Sequence, residues 1–152
     1  MNITSTMIET VSGRLVDLAD PKPDDILATD IAWALSREPR FGGHTVTARP
    51  YSVAQHSIAV ADLISEALRA GTAMNDALTS YLLEHDQEDT VHFVSQLIQS
   101  RDNRLTILIV ALGLLHDASE AYLRDLPSPV KSLPGLNEAY RKVEKHLMEI
   151  IL

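Results

Sequence analysis

The chain contains no cysteine among its 152 residues. Disulfides, thiolate metal sites and cysteine nucleophiles are thereby excluded, and the composition agrees with a reducing compartment. Positive charge is also short: 13 Lys and Arg face 21 Asp and Glu, for a net charge of −8. That balance argues against a broad basic surface for a nucleic-acid polymer, whereas a small anion held by a few local cations stays open. No secretory signal is visible, because Met1–Thr10 has neither a basic start nor an apolar core segment. The longest apolar run, Leu105–Leu115, falls short of the roughly 20 residues that a bilayer span needs. A soluble, cytoplasmic protein without membrane contact is the expectation. Internal repeats, low-complexity tracts and linkers are absent too. Residues 1–152 are therefore read as a single domain of ordinary globular composition, 45% hydrophobic.

What is present is mostly helical periodicity. Glu9–Leu18 alternates weakly around Gly13 and suits a strand of a small N-terminal β-hairpin, with Thr45–Ala48 as its partner. Asp20-Pro21-Lys22-Pro23 makes a turn. Asp24 and Asp25 then suit a helix N-terminus, and Ile26, Leu27, Ile31, Ala34 and Leu35 recur at helical spacing as far as about Ser36. Trp33 on that helix reads as a core or groove residue. Ser52 is a candidate N-cap for a helix reaching about Ala70, closed by Gly71. Further helices are expected near Asp76–Glu84 and Thr90–Gln99, over Leu105–Asp125 and over Leu136–Ile150. Leu126-Pro127-Ser128-Pro129 separates the last two.

The apolar run Leu105–Leu115 ends in His116-Asp117-Ala118-Ser119-Glu120. A core element thus delivers an imidazole and two carboxylates to its own end, and such groups are costly to bury without partners. On a continuous helix His116 and Glu120 stand four apart, and Asp117 and Glu120 three apart, so each pair is adjacent. His56 shares a helix face with Val53, Val60 and Ile64 and so points to the apolar side. Two neutral imidazoles and a carboxylate suit a first-row divalent ion, and an incomplete protein shell leaves positions for water and substrate. The His-Asp dipeptide alone is a weak signal. A second copy, His85-Asp86, lies in the acidic run Leu83–Asp89 and reads as solvated surface.

The wider pattern is more specific. Tyr51-Ser52-Val53-Ala54-Gln55-His56-Ser57 and Leu114–Tyr122, continuing through Asp125-Leu126-Pro127-Ser128-Pro129-Val130-Lys131, resemble the HD-domain metal-dependent phosphohydrolases. Within that superfamily they are most similar to the YfbR-like 5′-deoxynucleotidases and to phage deoxynucleoside triphosphohydrolases, over about Asp24 to Leu152. The resemblance implies an all-α, HD-domain-like helical bundle that hydrolyses a deoxynucleotide. It implies a divalent metal (cobalt, manganese, zinc, iron or nickel) held by His56, His116 and Asp117. Glu120 falls on the residue that orients the attacking water, Asp125 on the proton donor beside the leaving group, and Arg40 and Lys131 on phosphate contacts.

Each assignment has a plainer alternative. Arg40 and Lys131 also read as exposed cations, Asp125 as a capping carboxylate and His56 as a satisfied core histidine. His44, freed to turn by Gly42-Gly43, reads equally as a phosphate or base contact and as a strand-end hydrogen bonder. Trp33, with Arg40 and His44, is a candidate substrate contact, and the pocket near these three bears on the base and the phosphate count. The family completes its metal shell with an aspartate on a later helix. This chain offers no match, since Glu144 fits a position nearer that helix's start. Leu152 lies in mid-helix without a stop signal, so the expectation is a sequence cut short; a ligand from a partner chain and a degenerate site are the alternatives. A homodimer or larger assembly is expected on the same grounds. The rival function is a catalytically inactive HD module that binds a nucleotide or a protein partner.

Overall fold

The computed structural model describes residues 6–70 and 103–152. The helices expected near Asp76–Glu84 and Thr90–Gln99, the closing Gly71 and the His85-Asp86 pair lie outside the described residues. The described chain is mostly helical, with one two-stranded antiparallel hairpin. It parts into two compact units, residues 1–56 with 117–152 and residues 57–116.

In the first unit, strand β1 (Met7–Glu9) pairs with β2 (Leu15–Asp17) in the register Met7–Asp17, Ile8–Val16 and Glu9–Leu15. Both strands come from one short segment, because Gly13 at φ +81° reverses the chain between them. The expected pairing with Thr45–Ala48 is overturned: that stretch is bent and largely exposed, and Val46 has no packing face. β-branched composition alone did not make a strand where a sequence-local partner was available to β2.

Helix α1 (Ala28–Leu35) starts later than Asp24 and Asp25, which instead form a separate single turn after Pro23. Its buried Asp30 accepts hydrogen bonds from Thr10 Oγ1 (2.6 Å) and Ser12 Oγ (2.7 Å), which ties the hairpin turn to the helix. Those hydroxyls hold the Asp30 carboxyl below its ordinary pKa. Trp33 is 49% exposed, which corrects its assignment to the core. The Arg37 guanidinium lies 3.4 Å from its ring centroid, and this stacking replaces core packing.

Helix α2 (Val53–Ala70) begins at a reciprocal cap. Ser52 Oγ accepts from the Gln55 amide (3.2 Å), while Gln55 Oε1 accepts from the Ser52 amide (2.9 Å). In the second unit, the later turns of α2 meet helix α3 (Asn103–Leu115) through Ile64 and Ile109, with Val60, Leu68 and Val110 packed beside them. Gly113 permits that approach, since a Cβ there would overlap the Ile64 side chain.

The expected helix Leu105–Asp125 is not continuous. It stops at Leu115, passes through a turn over residues 116–119 and resumes as the short helix α4 (Glu120–Leu123). The Glu120 amide donates to Asp117 O at 3.0 Å and the Ala121 amide to Ala118 O at 3.2 Å, a tighter i to i+3 pattern. Asp117 and Ser119 are poor interior helix formers, and the His116 ring competes for a helical carbonyl, which explains the break. Thr106–Leu123 has the length and mean hydropathy (1.3) of a membrane-crossing helix, and this turn divides it. Beyond α4, Ser128–Lys131 forms α5 with a proline in its first turn, and Asn137–Ile151 forms α6, close to the range expected from its stripe. Tyr140 and Leu147 are the buried members of that stripe.

Candidate active site

Glu38 and Pro39 enter the first unit as a short extended strip that passes into a single turn over Arg40–Gly43. Glu38 O accepts from the Val53 amide (2.9 Å), the Arg40 amide donates to Tyr51 O (2.8 Å), and Pro39 pairs with Ser52. Next come Phe41, Gly42 and Gly43, all at positive φ (57°, 59° and 82°). Two glycines make this sequence of left-handed residues affordable, and Phe41 is held in it by a hydrogen bond from its amide to Asp125 Oδ2 at 3.0 Å. The strip aims Arg40 inward, its side chain 16% exposed.

Around Arg40 the site assembles. Its NH1 lies 3.2 Å from Asp117 Oδ2, 3.4 Å from Asp125 Oδ1 and 3.6 Å from Glu120 Oε2. On the other side of Asp117, His56 Nε2 approaches the same Oδ2 at 3.5 Å. Lys131 Nζ sits 3.1 Å from Glu144 Oε1, 3.9 Å from Glu120 Oε1 and 4.8 Å from the centre of the Tyr140 ring. Four carboxylates thus face two permanent cations. Glu120 bears most of the imbalance: it is 4% exposed, and burial, reinforced by Asp117 and Asp125, pushes its carboxyl pKa up to about 9. Its Oε2 is buried without a hydrogen-bond partner, as is Arg40 Nε. Burial, with the same carboxylates, also raises the Tyr140 phenol far above its ordinary range.

His116 closes the second unit and is joined to Asp117 by a single peptide bond. Its Nδ1 lies 2.8 Å from Gly113 O, a contact that requires the proton on Nδ1 and in the neutral ring leaves the lone pair on Nε2.

Of the residues singled out by sequence, Arg40, His56, Asp117, Glu120, Asp125 and Lys131 are brought together. The helical i, i+4 relation between His116 and Glu120 is not retained, because the turn over 116–119 intervenes. His44 is exposed at the end of the glycine loop, its amide on Phe41 O (3.1 Å), and Trp33 is stacked on Arg37. Among the described residues no hydrogen bond or ion pair links either of them to the carboxylate cluster. Sequence reasoning missed Glu38 and Arg124 as partners of the site. Glu144, which the sequence sets nearer the helix start than the missing metal ligand, is paired by the structure with Lys131. Glu38 and Arg124 carry no local pattern at all; only the folded chain joins them, Arg124 NH1 to Glu38 Oε2 at 2.6 Å.

No protein-family model matches the chain. Two curated relatives do. The uncharacterized protein RCAP_rcc00048 of Rhodobacter capsulatus is 38% identical over 125 residues, covering 82% of this chain and 46% of its own length. The uncharacterized protein YfdR of Escherichia coli (strain K12) is 27% identical over 145 residues, covering 95% of this chain and 57% of its own. The chain therefore spans about half the length of the curated relatives it matches.

Proposed function

We propose that this chain is an HD-type, divalent-metal-dependent phosphohydrolase acting on deoxynucleotides. One observation carries the reading: a half-buried arginine converges on Asp117, Glu120 and Asp125, while His56 reaches the far side of the same Asp117.

The donor set fits a divalent cation. His56 and Asp117 face each other at 3.5 Å, and His116, next in the chain to Asp117, has its lone pair on Nε2. Two imidazoles and a carboxylate are an N/O set for a first-row metal. The charge count agrees: with all four carboxylates ionised, Asp117, Glu120, Asp125 and Glu144 exceed Arg40 and Lys131 by two negative charges, which a dication balances, whereas without it Glu120 keeps its proton. When bound, such an ion supplies a Lewis acid that polarises a phosphoryl oxygen and lowers the pKa of water.

The chain's own residues then have these roles. Arg40 leaves its carboxylates for the phosphoryl oxygens and neutralises charge that develops there, and Lys131 does the same from the other side. Glu120 accepts a hydrogen bond from the attacking water once its own proton is gone. Asp125, ionised at rest, passes to the departing 5′ oxygen the proton that the attacking water gives up. For both a monophosphate and a triphosphate the bond broken joins phosphorus to that oxygen, so one site serves either substrate class.

The test is a panel of deoxynucleoside mono- and triphosphates with manganese, cobalt and zinc, reading phosphate against triphosphate release. The double variant His116→Ala/Asp117→Ala is expected to lose bound metal and at least about 10²-fold in hydrolysis. Unchanged metal content and turnover in that variant would sink the mechanism. A second reading, an inactive module that binds a nucleotide or a protein partner, is favoured by one feature. Arg40 already occupies Asp117 at 3.2 Å, a pairing that stabilises the carboxylate without any ion. Absence of both metal binding and turnover in the wild type would favour it.

A further inference from the structure

Arg124 occupies φ +73°, ψ 155°, an extended left-handed conformation that is essentially glycine's. An arginine there is held in place rather than at rest. Its amide donates to Glu120 O (2.9 Å) and its carbonyl accepts from the Tyr140 hydroxyl (3.2 Å). Its guanidinium donates to Glu38 Oε2 at 2.6 Å, and the following amide, that of Asp125, donates to Glu38 Oε1 at 3.3 Å. Glu38 is 8% exposed and anchored by its own carbonyl to the first turn of α2. One buried carboxylate therefore grips both sides of the strained peptide.

The corner so formed sends the chain from α4 back toward Arg40. It sets the Asp125 carboxylate across two donors, Arg40 NH1 (3.4 Å) and the Phe41 amide (3.0 Å). Phe41 is itself at positive φ, so two unfavourable backbone corners face each other through Asp125. A glycine would turn the corner without strain. An arginine gains over it only through its side chain, and that side chain is spent on Glu38.

We propose that Glu38 and Arg124 are positioning residues that hold the strained 124–125 corner and so aim Asp125 at the reacting phosphoryl group. The consequence for catalysis rests on the phosphohydrolase reading; the geometry does not.

Amide hydrogen exchange at Phe41, followed by NMR on the full chain, tests the hold directly. Arg124→Ala, which keeps the Cβ but loses the grip, is expected to lose roughly tenfold in Phe41 protection, and Arg124→Gly to stay within about threefold of wild type. Glu38→Gln keeps an acceptor for the Asp125 amide and falls between them. In turnover, Arg124→Ala lowers kcat on a deoxynucleoside monophosphate by about 10²-fold, with KM little changed, because Asp125 no longer reaches the leaving oxygen. On p-nitrophenyl phosphate, whose phenolate departs without a proton, that loss shrinks to within about threefold. Wild-type Phe41 protection in the alanine variant overturns the proposal. Equal losses in the alanine and glycine variants, or equal kcat losses on the two leaving groups, overturn it as well. If the wild type turns over nothing while Phe41 behaves as expected, the phosphohydrolase reading fails and the positioning role stands.

Discussion

Glu120 concentrates the electrostatic tension of the site. Its pKa near 9 follows from taking a carboxylate out of water between two others. The stability consequence has a definite sign. In the metal-free protein the folded state keeps this proton, while the unfolded chain releases it near the ordinary value of 4.5. Folding therefore loses stability as pH rises from about 4.5 to about 9 and levels off beyond. Glu120→Gln removes that dependence. Its metal-free unfolding midpoint is expected to exceed wild type by several degrees at pH 8, with the difference vanishing near pH 4; circular dichroism melts at both values decide it. Asp30 contributes in the opposite direction. Its lowered pKa means that its contribution is present above the unfolded value of 3.8 and fades as pH falls further.

Among the elements, α2 shows how far a local pattern reaches. Ser52 with Gln55 three residues on is a capping signature, and both reciprocal hydrogen bonds form. Ser52→Ala is expected to cost about 1 kcal/mol in chemical denaturation, since it leaves a first-turn amide without its acceptor. Substituting Gln55 in the same background should add little if the two hydrogen bonds act as one unit. The segment after Leu115 behaves otherwise. Its apolar periodicity suits a helix through Asp125, yet the chain breaks at His116–Ser119, where the His116 ring bonds to the Gly113 carbonyl. The break matters to the site: it lets Asp117 and Glu120 reach the same guanidinium from a turn and a helix start rather than from one helical face.

For the whole molecule, the cluster brings a long-range set of chain segments to one place. Arg40, His56, Asp117, Asp125, Lys131 and Glu144 come from three helices and the segments between them. A dication bound there stabilises the folded state by mass action. At a hundredfold excess over its Kd, manganese is expected to add about 2.7 kcal/mol. For a chain of this size that is an increase of roughly 5–10 °C in the unfolding midpoint, reversed by a chelator. Asp117→Ala should abolish the increase, and a midpoint insensitive to manganese, cobalt and zinc in the wild type counts against a metal site.

Helical content, the hairpin's location, the cap of α2, the last helix and most of the polar residues that meet at the site were legible in the sequence, because periodicity, turn chemistry and polar groups closing an apolar run are local signals. The partner of the hairpin strand, the break after Leu115 and the exposure of Trp33 were not. Each depends on which alternative contact the rest of the chain offers. The same holds for Glu38 gripping Arg124, 86 residues away, and for Lys131 meeting Glu144. Local sequence chose the side chains, while long-range packing decided which charges stand together, since an ion pair has no sequence period and its strength depends on how far the fold takes its partners out of water.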